Sequence, residues 1–401
     1  MSQAAIQAQA GSTGPAASRS RLTVVSAIGV AQILAWGSSY YLLAVLAGPI
    51  ASDTGWPLTW IMGALSIGML VSGLASPRIG HLIDRHGGRP VLAASAVLLS
   101  AGLLLLGLAP SLPVFVLAWV ILGLAMGAGL YDPAFSTLGR LYGEQARSAI
   151  THVTLFGGFA STVCWPLTAL AVEDVGWRSA CFAYAAAQVF VMAPALFLLL
   201  PREARKAPAT TERAGAGTMS LRDRRTFWLL AAILMANGAV QTTVSVHLLT
   251  ILQDQGMALA AAVAVGALIG PSQVGARVVE MLVGDRLHPT ATLACAGALV
   301  AVGMALLALG AGPAAVAVVL YAAGNGVWSI ARGTVPLALF GPERYPVVMG
   351  GLAAPNLVVQ AAAPFAAGFA ISAAGTHATL GVLATLALAN LLATIALARS
   401  R

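Results

Sequence analysis

Charged residues are scarce in this chain. Asp, Glu, Lys and Arg together make up 8% of its 401 residues, whereas 59% are hydrophobic. Soluble domains carry about 25% charged residues, so this composition excludes an ordinary water-soluble protein. The apolar runs reach about 20 residues or more, which is the length that crosses a bilayer as a helix. They do not alternate as the strands of a membrane β-barrel do.

Motifs that carry out chemistry are also missing. The three cysteines lie inside apolar runs without metal-ligand spacing, and we expect them to pack as small apolar residues: Cys164, Cys181 and Cys295. There is no Gly-x-x-x-x-Gly-Lys-Ser/Thr phosphate loop, which disfavours ATP-driven transport, and no Ser/His/Asp arrangement stands out. The sequence therefore predicts no enzyme, no cofactor and no metal site.

The apolar pattern predicts twelve membrane-spanning helices. Their approximate ranges are 23–50, 57–78, 90–110, 113–140, 149–172, 178–200, 226–252, 258–283, 290–311, 313–339, 346–372 and 376–398. We expect residues 1–21 to form a disordered cytoplasmic tail, because they are polar and rich in small residues. A polar stretch over 201–225 reads as a cytoplasmic linker between two six-helix halves, 22–200 and 226–401.

Basic residues are placed on one side of the predicted membrane. The formal net charge of +8 could suggest nucleic acid as a partner, but the arginines precede span 1, flank the loops after spans 2 and 4, crowd the linker and close the chain. Only Arg178 lies in the opposite loops. The positive-inside rule then places both termini in the cytoplasm. We expect a multi-pass plasma-membrane protein, in a bacterium an inner-membrane one, whose partners include the bilayer and exclude nucleic acid.

A charged island at 80–90 interrupts the apolar sequence, and its pattern returns in the second half. Four residue pairs share one offset of 201 residues: Asp53 and Asp254, Gly55 and Gly256, Asp84 and Asp285, Arg85 and Arg286. Four pairs at one offset indicate an internal duplication. Duplicated membrane units are typical of secondary transporters.

The island resembles the loop signature of the major facilitator superfamily, Gly-x-x-x-Asp-Arg-x-Gly-x-Arg between the second and third spans. The matching residues are Gly80, Asp84, Arg85, Gly87 and Arg89. The resemblance implies an all-α membrane protein with twelve transmembrane helices in two pseudo-symmetric six-helix bundles. It also implies a gating role for these residues and for Asp285 and Arg286, through contacts that break as the halves rock. Membrane anchoring alone explains the arginines but not the Gly–Asp spacing.

Four ionisable residues fall inside predicted spans, where each is costly unless paired or hydrated. They are Asp132 in span 4, Arg277 and Glu280 in span 8, and Arg332 in span 10. Arg277 precedes Asp285 by eight residues, so at ~1.5 Å per residue it lies ~12 Å from the cytoplasmic face, near the midplane of a ~30 Å core. Its guanidinium can hold a carboxylate through two parallel hydrogen bonds. The alternative is a self-neutralising Arg277–Glu280 pair at i,i+3.

The segment Gly270 to Arg277 resembles span 8 of the monocarboxylate and oxalate/formate transporter group. In that group an arginine binds the substrate carboxylate, and an aspartate four residues earlier takes part in proton coupling. Here Gln273 stands in place of that aspartate, and no lysine occurs in span 1. The resemblance therefore implies substrate binding by Arg277 but not the coupling pair. Glu280 and Asp132 are the candidates to replace it.

Polar and aromatic residues recur in spans 1, 4, 7 and 10, as expected for a wet central cavity. The substrate-binding candidates besides Arg277 are Tyr40, Tyr41, Tyr131, Asn237, Gln241, Asn325 and Trp328. Each of them could instead join neighbouring helices. Asp132 and Arg332 lie at nearly matched depths in the two halves, which suggests a cross-domain pair, although each could also be satisfied locally.

These observations predict a secondary transporter that moves a small organic anion, with a monocarboxylate as the first candidate, by alternating access. Coupling to protons, as symport, or exchange of a counter-anion, as antiport, would drive it, and we expect it to function as a monomer. One alternative is an exporter of a neutral or toxic compound. Another is a membrane sensor that binds a solute without moving it.

Overall fold

A computed structural model describes residues 20–202 and 220–399, which we call the first half and the second half. The predicted tail up to residue 19, the linker residues 203–219, the last two residues and the side chain of Asp285 lie outside the described part of the chain.

The first half consists of nine helices. They are α1 Arg21–Gly37, α2 Leu43–Thr54, α3 Leu58–His86, α4 Gly88–Leu108, α5 Leu112–Gly129, α6 Tyr131–Tyr142, α7 Ala146–Gly158, α8 Ala160–Ala186 and α9 Ala193–Leu199. A short 3₁₀ turn, Gly143–Gln145, links α6 to α7, and a π-helical stretch, Ala187–Met192, links α8 to α9.

The second half consists of five helices. They are α10 Leu221–Asp254, α11 Leu259–Ala267, α12 Ile269–Val283, α13 Pro289–Leu309 and α14 Ala314–Arg399. A 3₁₀ turn, Gly284–Arg286, links α12 to α13. The last helix is continuous by hydrogen bonding but kinks at Gly341 and Gly375, as α8 does at Gly176.

The all-α membrane fold predicted from the sequence is confirmed. Within the described residues, seven helical stretches are long and apolar enough to cross a membrane. Two of them, Leu112–Leu199 and Ala314–Arg399, are 88 and 86 residues long and therefore contain several spans each. Dividing these stretches at the kinks, and counting α1 with α2 as one span, is consistent with the twelve predicted spans.

Four predicted spans are broken rather than continuous. Span 1 is interrupted between Gly37 and Leu43, span 4 at Leu130, span 5 at Phe159 and span 8 at Leu268. Leu130 has an extended conformation, with φ −79° and ψ −158°. Each interruption leaves backbone groups without their helical partners, and such irregular backbone is tolerated at membrane depth where protein buries it or a cavity hydrates it.

The same local devices occur in both halves. Ser20 and Ser220 each cap the first helix of their half by accepting a hydrogen bond from a backbone N–H, at 3.2 and 3.0 Å; such a cap is worth about 1 kcal/mol. Turns with positive φ occur at three matched glycine pairs: Gly55 and Gly256, Gly143 and Gly341, Gly176 and Gly375. Only glycine adopts this conformation without strain, so the backbone supports the duplication.

A carboxylate joins the first span of each half to its sixth span. Asp53 accepts hydrogen bonds from Trp177 Nε1, at 3.0 Å, and from Arg178. Asp254, the matched residue, accepts one from Thr376 Oγ1. The sequence identified the two aspartates as a repeated pair, and in the structure each one links the first span of its half to the sixth.

Each half has its own apolar core, and its outer surface is apolar as well. Phe115, Trp119 and Leu122 are fully buried in the first half. In contrast, Phe190 and Leu309 expose 77% and 79% of their surface on the outside of the bundle. Exposed apolar area is unfavourable in water by about 25 cal/mol per Å², a penalty that lipid removes.

Candidate functional site

The two halves pack closely at the end of the bundle that carries the basic residues. We call it the basic end and define it by residues 84–89, 140–147, 284–288 and 341–346. There α3 and α14 touch backbone to backbone: a Cβ added to Gly80 would overlap the Pro346 carbonyl oxygen, and one added to Gly350 would lie 2.5 Å from the Ser76 carbonyl oxygen. Glycine at both positions permits this approach.

An apolar cluster shared by both halves closes the basic end further. Tyr345 is fully buried and donates a hydrogen bond to the Gly333 carbonyl oxygen at 2.6 Å. It packs in one cluster with Leu337 of its own half and with Phe135 and Ile150 of the first half. The basic end is therefore sealed in this structure.

An ion pair between α7 and α12 lies at the same end. Arg147 Nη2 donates to Glu280 Oε1 at 3.2 Å, and Nη1 donates to the Leu287 carbonyl oxygen at 2.5 Å. Glu280 also accepts a hydrogen bond from Thr292 Oγ1 at 3.1 Å. Glu280 thus pairs across the halves with Arg147, and the alternative of an internal Arg277–Glu280 pair is not what this structure contains.

A small cavity of about 40 Å³ lies between the halves. Most of its wall comes from the first half: Trp36, Tyr40, Met69, Ser72, Ser76, Met126, Gly127, Leu130, Tyr131 and Asp132. The second half supplies Arg332, Leu357 and Gln360.

The acid and the base in this wall bind each other. Arg332 Nη2 on α14 forms an ion pair with Asp132 Oδ2 on α6, and the two side chains expose only 16% and 12% of their surface. Asp132 lies in the first turn of α6, where the helix dipole stabilises a carboxylate. Its other oxygen, Oδ1, is buried and has no hydrogen-bond partner among the described residues.

Arg277 is buried at the interface of the two halves without an acidic partner in the described residues. It is 6% exposed. Its Nε donates to Ser329 Oγ at 3.0 Å, and Nη2 donates to Gln273 Oε1 at 3.3 Å. Its Nη1 lies against Gly158 of the first half, where a Cβ would overlap it. Arg277 therefore reaches across the interface with neutral partners only.

Aromatic side chains line the first-half wall. Trp36 lies 5.3 Å from Tyr40, 5.8 Å from Tyr41 and 5.0 Å from Tyr131, measured between ring centroids. Tyr40 and Tyr131 line the cavity, whereas Tyr41 packs behind them against Trp165 at 6.1 Å. Trp36 was not among the predicted site residues; its position near the end of α1, four residues before Tyr40, was the signal available.

Comparison with known proteins decides the family. The family model described as Major Facilitator Superfamily matches residues 28–339, well over half of the chain. The chain belongs to the major facilitator superfamily. Membership of this superfamily, together with transporter relatives, indicates a transporter rather than an enzyme.

Similar proteins and structures agree with this assignment. Human monocarboxylate transporter 11 is 29% identical over 266 residues, which cover 65% of this chain and 54% of that protein; the chain thus spans about half the length of this relative. The human organic anion transporter MFSD10 has a TM-score of 0.75 at 16% identity, covering 95% of this chain and all of the other. The fucose:proton symporter FucP of E. coli has a TM-score of 0.73 at 13% identity, covering 94% and 99%. At these identities the two structures show the fold alone.

Besides Arg277 and Tyr41, four further predicted cavity residues do not line the cavity of this major facilitator protein. Asn237 Nδ2 donates to Asn325 Oδ1 at 3.3 Å, so the two amides join α10 to α14. Trp328 is 4% exposed and packs in an apolar cluster of the second half. Gln241 contributes its backbone carbonyl oxygen to a 3.5 Å hydrogen bond from Tyr321. Interhelical packing, the alternative considered for each, describes these positions in this structure.

The superfamily loop residues lie where α3 meets α4. Asp84 lies 3.7 Å from Arg140 of α6, and the Arg89 guanidinium stacks 4.1 Å from the centre of the Phe197 ring. Gly87, with φ 82°, ends α3.

The matched residues of the second half are arranged differently. Asp285 and Arg286 belong to the 3₁₀ turn after α12, and Arg286 is exposed, as Arg85 is in the first half. The Asp285 side chain lies outside the described residues.

Proposed function

We propose that this chain is a secondary active transporter that moves a small organic anion, with a monocarboxylate as the first candidate, by alternating access. Membership of the superfamily and similarity to a monocarboxylate transporter support the transport class. The observation that supports an anionic substrate is Arg277, a buried cation with neutral partners among the described residues.

The charges around the cavity do not balance. Arg332 and Asp132 neutralise each other, whereas Arg277 leaves one positive charge in excess. An unpaired arginine at the centre of a membrane helix costs about 2.5–3.5 kcal/mol even on the most lenient scale. A substrate carboxylate at Arg277 removes this excess and gains bidentate, charge-assisted hydrogen bonds. A neutral cargo would leave the charge unbalanced.

The cross-half pairs are the contacts that alternating access must break. We propose that the bundles 22–200 and 226–401 rock about the cavity, so that Arg147–Glu280, Asp132–Arg332 and the close contact of Gly80 with Pro346 separate when the basic end opens. The positive-inside rule places the basic end and both termini in the cytoplasm, in a bacterium at the inner membrane. The sealed basic end then corresponds to an outward-facing state.

Proton coupling is proposed to use Asp132. Gln273, which stands where the resembling transporters have a coupling aspartate, donates no proton and only accepts a hydrogen bond from Arg277. Asp132 is the carboxylate in the cavity wall, while Glu280 lies in the seal with Arg147. Exchange against a counter-anion is the alternative to proton coupling. Uptake measured with and without a pH gradient distinguishes the two.

Uptake of a carboxylate panel into proteoliposomes, with and without a pH gradient, tests the proposal. Wild type is expected to accumulate at least one monocarboxylate above protein-free liposomes, and Arg277→Ala is expected to lose this uptake. Arg224→Ala is the matched control, because Arg224 is an exposed arginine of the same half; it is expected to transport as wild type does.

Two results would contradict the proposal. If Arg277→Ala transports every tested anion as well as wild type, the carboxylate is not bound there. If wild type moves neutral compounds and no anion, the protein is the exporter considered as the alternative. Saturable binding without any movement across the membrane would instead support the sensor.

A further inference from the structure

The cavity between the halves is layered by depth. Along α3, Met69 precedes His86 by seventeen residues and Ser76 by ten, so at ~1.5 Å per residue they lie ~25 Å and ~15 Å from the basic end. Asp132 precedes Tyr142 of α6 by ten residues, again ~15 Å. Trp36 lies fifteen residues into α1, ~22 Å from its start at the basic end.

Two unlike layers result from these depths. The charged layer, nearer the basic end, contains Asp132, Arg332 and the adjacent Arg277. The aromatic layer, farther from it, contains Trp36, Tyr40, Met69 and Met126. All of these except Arg277 line the cavity.

The aromatic layer offers ring faces rather than polar groups. The Trp36 indole N–H donates to Gln32 Oε1 at 3.2 Å, and the Tyr131 hydroxyl donates to the Thr154 carbonyl oxygen at 3.3 Å. Both of these polar groups are therefore bonded inside the first half, and Tyr40 adds one hydroxyl to the aromatic layer. Aromatic faces and thioether side chains favour flat, polarisable partners.

The charged layer keeps donors for an anion. Arg332 donates one N–H hydrogen bond to Asp132, and a guanidinium has five N–H donors in total. Ser76 donates its hydroxyl to the Ser72 carbonyl oxygen at 2.7 Å, so the serine is already satisfied. Within this layer the arginines are the groups suited to hold a carboxylate.

Neither a polyol nor a very small aliphatic acid matches both layers. A polyol would place several hydroxyls against a layer in which Tyr40 supplies a single hydroxyl, and burying the remaining hydroxyls unpaired is unfavourable. A two-carbon acid could reach the charged layer but would leave the aromatic layer without contact. An occupant that is charged at one end and flat and apolar at the other satisfies both.

We propose that the cargo is an amphipathic organic acid with an aromatic body, which lies with its carboxylate in the charged layer and its ring against Trp36, Tyr40 and Tyr131. This rests on the proposed function and narrows its substrate class. Trp36 and Tyr40 are then specificity-determining residues.

Concentration-dependent uptake into proteoliposomes tests this, after subtraction of uptake into protein-free liposomes. The probes are benzoate and phenylacetate as aromatic acids, and acetate and lactate as aliphatic acids. We expect the aromatic acids to reach half-maximal uptake at concentrations on the order of tenfold lower, because ring contacts add to the buried apolar area.

Substitutions within the aromatic layer provide the second readout. Trp36→Leu is expected to raise the half-saturating benzoate concentration on the order of tenfold and to leave that of acetate within about twofold, since only the ring contact is lost. Trp228→Leu is the control, because Trp228 is 60% exposed on the outside. If Trp36→Leu does not fold, Tyr40→Leu carries the same expectation, with Tyr40→Phe as the variant that keeps the ring.

The outcomes separate this inference from the proposed function. Equal half-saturation for aromatic and aliphatic acids, or equal weakening of both by Trp36→Leu and Tyr40→Leu, would overturn the aromatic cargo while leaving an anion transporter in place. Failure of every organic acid to be transported would remove the proposed function, and this inference with it.

Discussion

At the scale of single residues, the two buried arginines differ in what balances their charge. Arg332 has Asp132 of the other half. Arg277 has a serine hydroxyl, an amide and backbone oxygen. Neutral acceptors satisfy N–H groups but do not neutralise the charge, so only Arg277 gains a full ion partner when an anion arrives.

Replacing each acid by its amide separates the two candidates for proton coupling. Asp132→Asn is expected to abolish stimulation of uptake by an acid gradient, because the only carboxylate in the described cavity wall is lost. Glu280→Gln is expected to lower the rate but keep the stimulation, since it loosens the seal with Arg147. Initial uptake rates with and without the gradient measure both. Stimulation that survives in Asp132→Asn and disappears in Glu280→Gln would move the coupling site to Glu280.

Matched depths in the sequence suggested the Asp132–Arg332 pair, which the structure contains, but the sequence did not indicate the partner of Glu280. Glu280 is three residues from Arg277, which made an internal pair reasonable, yet it binds Arg147, 133 positions away in sequence. Which side of a helix meets the other half depends on packing between distant segments. Sequence spacing along one helix carries no information about that packing.

At the scale of helices, the approach of α3 to α14 depends on absent side chains. A Cβ at Gly80 would overlap Pro346, whereas one at Gly63, on the same helix, meets nothing within 4 Å. Gly63→Ala is expected to stabilise the protein by about 0.4–1 kcal/mol through helix propensity and unfolded-state entropy. Gly80→Ala is expected to destabilise the sealed state by about 1–3 kcal/mol, as overpacking does.

Thermal unfolding in detergent and hydrogen exchange over residues 346–358 check this pair of variants. Gly80→Ala should exchange faster in that segment and Gly63→Ala should not. Identical behaviour of the two alanines would mean that the close contact does not hold the basic end shut.

The Asp53 link between α2 and α8 predicts a response to acid. Its hydrogen bond with Arg178, followed by that with Trp177, lowers the pKa of the Asp53 carboxyl below its usual 3.8. A lowered folded-state pKa adds stability above the usual value, and this stability is lost as the pH falls through the folded value. Asp53 and Arg178 are 49% and 40% exposed, so solvent screening keeps the effect small.

Melting temperatures from pH 6 to pH 3 test this link. The melting temperature of wild type is expected to fall more on acidification than that of Asp53→Asn, which lacks the link at every pH. Asp174→Asn is the control, because Asp174 is an exposed acid at the same end. A wild-type decline no steeper than that of Asp53→Asn would exclude a contribution from the link.

Hydropathy located the helices but not their interruptions. The twelve apolar runs are long enough to predict spans, because crossing a membrane constrains composition over about 20 residues. The breaks at 38–42, Leu130, Phe159 and Leu268 involve few residues without a distinctive composition. The break at 38–42 places Tyr40 in the cavity wall, and α6 begins just after Leu130 with Tyr131 and Asp132. The sequence could therefore identify candidate residues there, but it could not predict that they form one wall.

At the scale of the whole molecule, the backbone features of the fold repeat in both halves, whereas the ionisable residues of the candidate site do not. The helix caps at Ser20 and Ser220 and the matched turn glycines occur in both halves. The ionisable groups at the centre do not repeat: the acid Asp132 belongs to the first half, and Arg277 and Arg332 belong to the second. Duplication thus explains the fold, which is why internal offsets predicted it, while the cargo depends on residues that differ between the copies.

The central claim is that the cargo is an anion held by the excess positive charge of Arg277. The most direct measurement is calorimetric binding of matched carboxylates and their neutral amides to the purified full chain, because the two differ in charge but hardly in shape. We expect a carboxylate to bind wild type on the order of tenfold or more tightly than its amide, as charge-assisted pairing predicts, and Arg277→Ala to lose this difference. Amides that bind wild type as tightly as their carboxylates would contradict the claim.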